Sequence, residues 1–394
     1  LLITAACAQA QDVASGPANL LKGCDFAGDA KGWNGLGDDE KKSVSLVELP
    51  GGKKGLCLCR KAAGVDVGID QAVPLAPQTL YKCSITGFGK AQVSIRLRPA
   101  CSKDDEFETL FKPWAVTSAP LVASDEPRTT EFIFDSGLKA DRTAVKVYLP
   151  DAKDLGSYTI TTISLRQAGS SKPDPDETVI LHLGDSITAS IYLPFEQRVD
   201  AALAPMLAKG FPARKIRQIN LGADGEYIKD LLDSGRYKKV VKENYQRVDV
   251  AIIRYGANDT RFGAAEDFKK QLASLCDALR SDYPGIKILL GTGPYLKGTQ
   301  AQYGQYWQAI RDLAADRKFG LVDIYARMEK SQSDKLTLGP GNMHPSRDGV
   351  QLMAEEIFAA LNAALASTSP APATLPAPGA TLPTSPATST APAR

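Results

Sequence analysis

Between residues 19 and 167 the chain alternates apolar and polar positions in short runs. Val93, Ile95 and Leu97 stand against Ser94, Arg96 and Arg98, and Val145, Val147 and Leu149 repeat the pattern. A period of two marks strands with one buried face. Further runs at 43–49, 55–60, 81–86, 132–134 and 158–165, separated by Gly, Pro and Asp clusters, predict an all-β sandwich of about eight strands over residues 18–168.

The period changes after the polar stretch Ser170-Ser171-Lys172-Pro173-Asp174-Pro175-Asp176, where a domain boundary is expected. Beyond it, strand-like runs at 178–183, 216–221, 248–255, 286–292 and 320–325 alternate with helical patterns. That alternation is the signature of a mainly parallel sheet covered on both faces, so residues 176–366 should form a three-layer α/β domain. Residues 367–394 hold Ala, Pro, Thr and Ser with no charge before Arg394, and such a tail is expected to stay disordered.

A length of 394 residues, with 43% hydrophobic and 23% charged residues, suits two globular domains. Lys and Arg number 47 against 45 Asp and Glu. Because no dense basic run interleaves with aromatics, a nucleic-acid partner is not expected. No apolar run approaches the roughly 20 residues that span a bilayer, so no transmembrane segment is expected either. Residues 1–10 are small and apolar and end in Ala8-Gln9-Ala10, which reads as the remnant of a secretory signal cleaved before Gln11. A lipoprotein box at Thr4-Ala5-Ala6-Cys7 is the alternative, and both predict a secreted, periplasmic or cell-surface protein. Cys24, Cys57, Cys59, Cys83 and Cys101 fall in the first half. That distribution predicts disulfides there, with at least one thiol left over.

Only two histidines occur, His182 and His344. Multi-histidine zinc sites are thereby excluded, and few groups remain to move a proton near neutral pH. His182 lies inside the first strand of the second domain and is expected to be structural. The strand ends in Gly184-Asp185-Ser186-Ile187-Thr188, and a serine at the carboxyl end of a parallel strand stands where such sheets hold ligands.

Three more blocks follow in order: Asn220-Leu221-Gly222-Ala223-Asp224-Gly225, Gly256-Ala257-Asn258-Asp259, and His344-Pro345. Together the four blocks resemble the SGNH, or GDSL, hydrolase family of esterases and deacetylases over about residues 178–365. The resemblance implies Ser186 as nucleophile and His344 as its base, chemistry that a weakly nucleophilic hydroxyl needs. It also implies an oxyanion hole from the N–H of Ser186, the N–H of Gly225 and the side chain of Asn258. Gly225 is preferred to Gly222 because it stands five residues after Asn220, as the family's donor glycine does. Asp185 and Asp259 are expected to brace their loops through backbone hydrogen bonds.

One position departs from the family. Three residues before the histidine, where an Asp is usual, stands Gly341. The expectation is therefore a Ser-His dyad whose imidazole is oriented by a backbone carbonyl; the rival is a degenerate, non-catalytic glycan binder.

In the first domain, Asn19-Leu20-Leu21-Lys22-Gly23-Cys24-Asp25-Phe26 followed by Gly32-Trp33 resembles the opening of jelly-roll carbohydrate-binding modules. Tyr158-Thr159-Ile160-Thr161 is similar to their last strand. Trp33 is expected in the core, and Trp114 is the candidate sugar contact. The two resemblances together imply an O-acetyl esterase acting on an acetylated polysaccharide or oligosaccharide, without metal or organic cofactor. A lipase or thioesterase of the same fold is the enzymatic alternative.

Overall fold

A computed structural model describes residues 17–104, 106, 123–150, 153, 155–331, 333–339 and 341–366. The leader at 1–10, the tail at 367–394 and Trp114 lie outside the described residues.

Among the described residues the first part of the chain holds nine strands: β1 (Gly37–Asp38), β2 (Lys42–Leu49), β3 (Lys53–Arg60), β4 (Gly68–Pro74), β5 (Thr79–Gly89), β6 (Ser94–Ala100), β7 (Ser124–Asp135), β8 (Arg142–Tyr148) and β9 (Ser157–Ser170). They form two antiparallel sheets, ordered β1-β2-β3-β9-β5-β7 and β4-β8-β6. Leu56, Leu58, Ile85 and Ile160 of the larger sheet share one core with Ile69, Ile95, Val145 and Val147 of the smaller. Trp33 is buried in that core. Strand β4 escapes the hydrophobic pattern because its middle inward position is Gln71, buried through hydrogen bonds with the N–H and carbonyl of Lys22. A polar side chain is tolerated inside when its donors and acceptor are met.

The cysteines correct the disulfide expectation. All six among the described residues are free thiols. Cys57 and Cys59 lie half-buried on the face of β3 opposite the inward Leu56 and Leu58, while burial pushes the Cys83 thiol up to about 12.

After Ser170 the chain enters the second part: β10 (Glu177–Gly184), α1 (Val199–Gly210), β11 (Lys215–Asn220), α2 (Ile228–Asp233), β12 (Val250–Arg254), α3 (Ala265–Asp282), β13 (Lys287–Gly291), α4 (Gln300–Arg317), β14 (Gly320–Val322), α5 (Ile324–Ser331) and α6 (Arg347–Ala366). The five strands are parallel in the order β11-β10-β12-β13-β14. Alternate strand residues serve two cores. Ile180, Val250, Ile252 and Leu289 pack with Leu203, Met353 and Ile357 of α1 and α6. Leu181, Leu183, Ile253 and Leu290 pack with Leu272, Leu275 and Ile310 of α3 and α4. No helix among the described residues is long and apolar enough to cross a membrane.

The two parts touch directly. The Leu138 N–H donates to Asn244 Oδ1 at 2.7 Å, Lys239 pairs with Asp104 at 2.8 Å, and the Phe132 and Phe195 rings meet at 6.0 Å.

Candidate active site

β10 has neighbours on both sides, with the chain crossing from β11 past it to β12, so its carboxyl end opens onto a switch point. Here a single helical turn, Ser186–Ala189, begins. Asp185 caps it: its Oδ1 accepts the Ile187 N–H at 2.9 Å, which meets one donor that a helix start leaves unpaired. The turn presses against the loop after β11, where a Cβ on Gly222 would lie 2.3 Å from the Ala189 nitrogen. Only glycine allows that approach.

Ser186 Oγ lies 2.9 Å from His344 Nε2. The imidazole is held from its far side by Asn342, whose Oδ1 is 2.9 Å from Nδ1 and also accepts the His344 backbone N–H at 2.9 Å. Because that backbone donor identifies the Asn342 atom as an oxygen, Nδ1 carries the ring proton and Nε2 is free to accept from Ser186. The expected backbone carbonyl is replaced by a side-chain one. Tyr192 packs edge-on against the imidazole, with ring centroids 4.6 Å apart. Burial lowers the His344 pKa below its ordinary value, opposed by the nearby charge of Asp224.

Ser186, Asn258 and His344 line one open cleft of about 510 Å³, together with Arg261, Tyr303 and Asn342. Asn258 Nδ2 donates to the Glu226 carbonyl at 3.1 Å, which leaves its second N–H for the cleft. Gly225, next to Glu226, is exposed with φ +71° and does not itself line the cleft. In the same loop the Gly222 N–H is taken by Asn220 Oδ1, the Ala223 N–H by the Gly184 carbonyl and the Glu226 N–H by the Ala223 carbonyl. The Gly225 N–H is not among the donors taken inside this loop, and neither is that of Asp224.

Asp259 joins the two loops by accepting the Ile228 N–H at 3.0 Å and the Gly256 N–H at 2.9 Å. Beneath it, Glu226 and Arg236 form a fully buried ion pair at 3.0 Å, and the Tyr255 hydroxyl donates to the same carboxylate oxygen at 2.7 Å. Burial pushes Asp185 up to about 7; repulsion from Asp259 adds to this, and Arg254 opposes it. The Arg254 guanidinium is itself buried without a hydrogen-bond partner among the described residues. His182 is buried away from the cleft against Gln218, 3.1 Å from Nε2.

Asn342 is the residue that motif reading misses. Its signal is an amide two positions before the histidine in Gly341-Asn342-Met343-His344, a spacing at which Asn bonds the backbone two residues on. Among the described residues no group of three or more His, Cys, Asp or Glu side chains is arranged to hold a metal ion.

Fold and site together define an α/β domain that carries a serine–histidine pair at the carboxyl end of a parallel sheet. Residues 182–352 match the model of the GDSL-like Lipase/Acylhydrolase family. No curated protein matches the chain. Similar solved structures include a family two carbohydrate esterase from Clostridium thermocellum in complex with cellohexaose, at 17% identity and TM-score 0.42 over 79% of this chain and 95% of that one. A putative GDSL-like lipase from Parabacteroides merdae matches at 21% and 0.42, over 48% and 97%. An acetylxylan esterase from Geobacillus stearothermophilus matches at 21% and 0.41, over 48% and 96%.

Proposed function

We propose that the protein is an exported carbohydrate O-acetyl esterase. The observation that carries the reading is the 2.9 Å contact from Ser186 Oγ to His344 Nε2, with Nδ1 held by Asn342. In the proposed cycle Ser186 Oγ attacks the acetyl carbon while its proton passes to Nε2. The oxyanion accepts from the N–H groups of Ser186 and Gly225 and from Asn258 Nδ2. Collapse breaks the ester bond, and the leaving sugar oxygen takes the proton from Nε2. Water then attacks the acetyl-enzyme and gives a proton to His344; collapse expels Ser186 Oγ, which takes that proton back, and acetate is released. No step calls for a metal or cofactor.

The polar lining of the cleft, with Asn258, Arg261 and Asn342 around the serine, supports a small acyl group on a hydroxyl-rich alcohol over a long acyl chain. The degenerate reading rested on Gly341, and Asn342 supplies the orienting acceptor that this glycine cannot. The first domain is read as a jelly-roll module that helps hold the polysaccharide.

The test is acetate release from acetylated xylan, mannan, pectin and chitin-derived sugars, with long-chain acyl esters as controls. Release that falls at least about 10⁴-fold in Ser186→Ala supports the proposal. Preference for long acyl chains would make the protein a lipase, and no turnover on any ester would make it a binding protein.

A further inference from the structure

Phe262 is the one exposed aromatic side chain among the described residues, 58% accessible. Its position is fixed. The Phe262 N–H donates to the Asp259 carbonyl at 2.9 Å, closing the turn Asp259–Arg261 that follows Asn258. One face of the ring is covered by Tyr227, with centroids 4.0 Å apart and planes at 18°. Tyr227 follows Gly225 by two residues and precedes α2 directly. The stack therefore spans the two loops that carry Gly225 and Asn258, the same loops that Asp259 joins through the Ile228 N–H. Arg261, the residue before Phe262, lines the cleft with Ser186 and His344.

Leaving a phenylalanine in water forgoes the stabilisation of burying it. Stacking on Tyr227 removes the ring's freedom without hiding its second face, so the cost of ordering it on a ligand is already met. A flat, rigid apolar face, carried on the residue next to a cleft-lining arginine with several N–H donors, matches a pyranose ring, which pairs an apolar C–H face with a rim of hydroxyl acceptors.

We infer that Phe262, backed by Tyr227, is a sugar-binding subsite that stacks a neutral pyranose ring of the ester's alcohol part, with Arg261 donating to its hydroxyls. The inference rests on the carbohydrate-ester reading of the site. The subsite adds substrate binding and leaves the bond-making atoms untouched.

The experiment compares wild type, Phe262→Ala and Phe262→Trp on an acetylated oligosaccharide series and on ethyl acetate, which has no ring to stack. Phe262→Ala should raise KM for the oligosaccharides about five- to tenfold with kcat within twofold, leave ethyl acetate unchanged, and be rescued by Phe262→Trp. Because the side chain is exposed, the variants should keep the wild-type Tm. If wild type deacetylates the sugars and Phe262→Ala matches it, the subsite is overturned alone. Equal losses on both substrates overturn it too, since they mark a disturbed oxyanion loop. If wild type cleaves ethyl acetate and no acetylated sugar, the carbohydrate reading fails and the subsite fails with it.

Discussion

The side-chain oxygen of Asn342 receives two hydrogen bonds from His344, one from the backbone N–H and one from Nδ1, each 2.9 Å long. The pair forms a closed local unit in which a neutral amide does for the imidazole what a carboxylate does in a triad. It sets the tautomer and the ring plane, but it adds no negative charge to stabilise the imidazolium.

Asn342→Ala should therefore lower kcat about 10²-fold on any accepted ester with little change in KM, because the loss is of ring orientation in the transition state. Gly341→Asp should not raise activity beyond about tenfold. Nδ1 is already occupied, and Gly341 has φ +73°, a conformation that side chains adopt at a cost. Steady-state kinetics of both variants check this, and a gain of several orders of magnitude in Gly341→Asp would mean that Asn342 does not hold the ring.

The pH dependence follows from the same geometry. Burial lowers the His344 pKa, so the neutral base persists to more acidic pH and the acid limb of kcat/KM should fall below the ordinary histidine value of about 6.5. Asp224 opposes the shift; removing its charge in Asp224→Asn should move the limb further down. Asn342→Asp places a carboxylate on Nδ1 and should move it up. Opposite displacements in the two variants are the signature, and a limb that ignores both would assign the titration to another group.

How much of the fold and site is legible in the sequence depends on what each feature rests upon. The parallel strands are visible because strand-like runs alternate with helical patterns along the chain, and their ends shift by no more than two or three residues. Ser186 and Asn258 sit in short blocks at strand ends and His344 just before the last helix, so order along the chain nearly fixes their neighbourhood. Asn342 is invisible to that logic, since its contact depends on the backbone turn at Gly341 and not on a motif position. β4 hides because Gln71 interrupts the apolar face, and the distribution of cysteines says nothing about whether Cβ atoms approach one another in the sheets.

Asp185 makes stability depend on pH. Its folded-state pKa, near 7, lies above the usual carboxylate value of 3.8 because the group is buried. A raised carboxylate pKa contributes stability that is fully present below about 3.8 and is lost as pH rises to about 7, because the unfolded chain ionises freely there. Asp185→Asn keeps an oxygen for the Ile187 N–H and removes the titration. The Tm of the variant minus that of wild type should thus increase by several degrees between pH 4 and pH 8. A difference that stays flat over that range would contradict the burial argument.

The buried pair below the oxyanion loop should behave as one unit. Glu226 and Arg236 are fully enclosed, and Arg236 also donates to the Leu221 carbonyl at 2.9 Å, so the guanidinium ties the carboxylate to the start of the loop after β11. Arg236→Met leaves the carboxylate buried without its cation and should cost about 3–5 kcal/mol in urea unfolding. Glu226→Gln alone strands the guanidinium in the same way, whereas the double variant removes both charges and should recover much of the loss. Because Asn258 Nδ2 donates to the Glu226 carbonyl, the single variants should also lower kcat, and the double variant should restore it in step with stability. Strictly additive costs in a double-mutant cycle would show that the two side chains are not coupled. Recovered stability with kcat still low would instead separate the ion pair's structural role from the placement of the Asn258 donor.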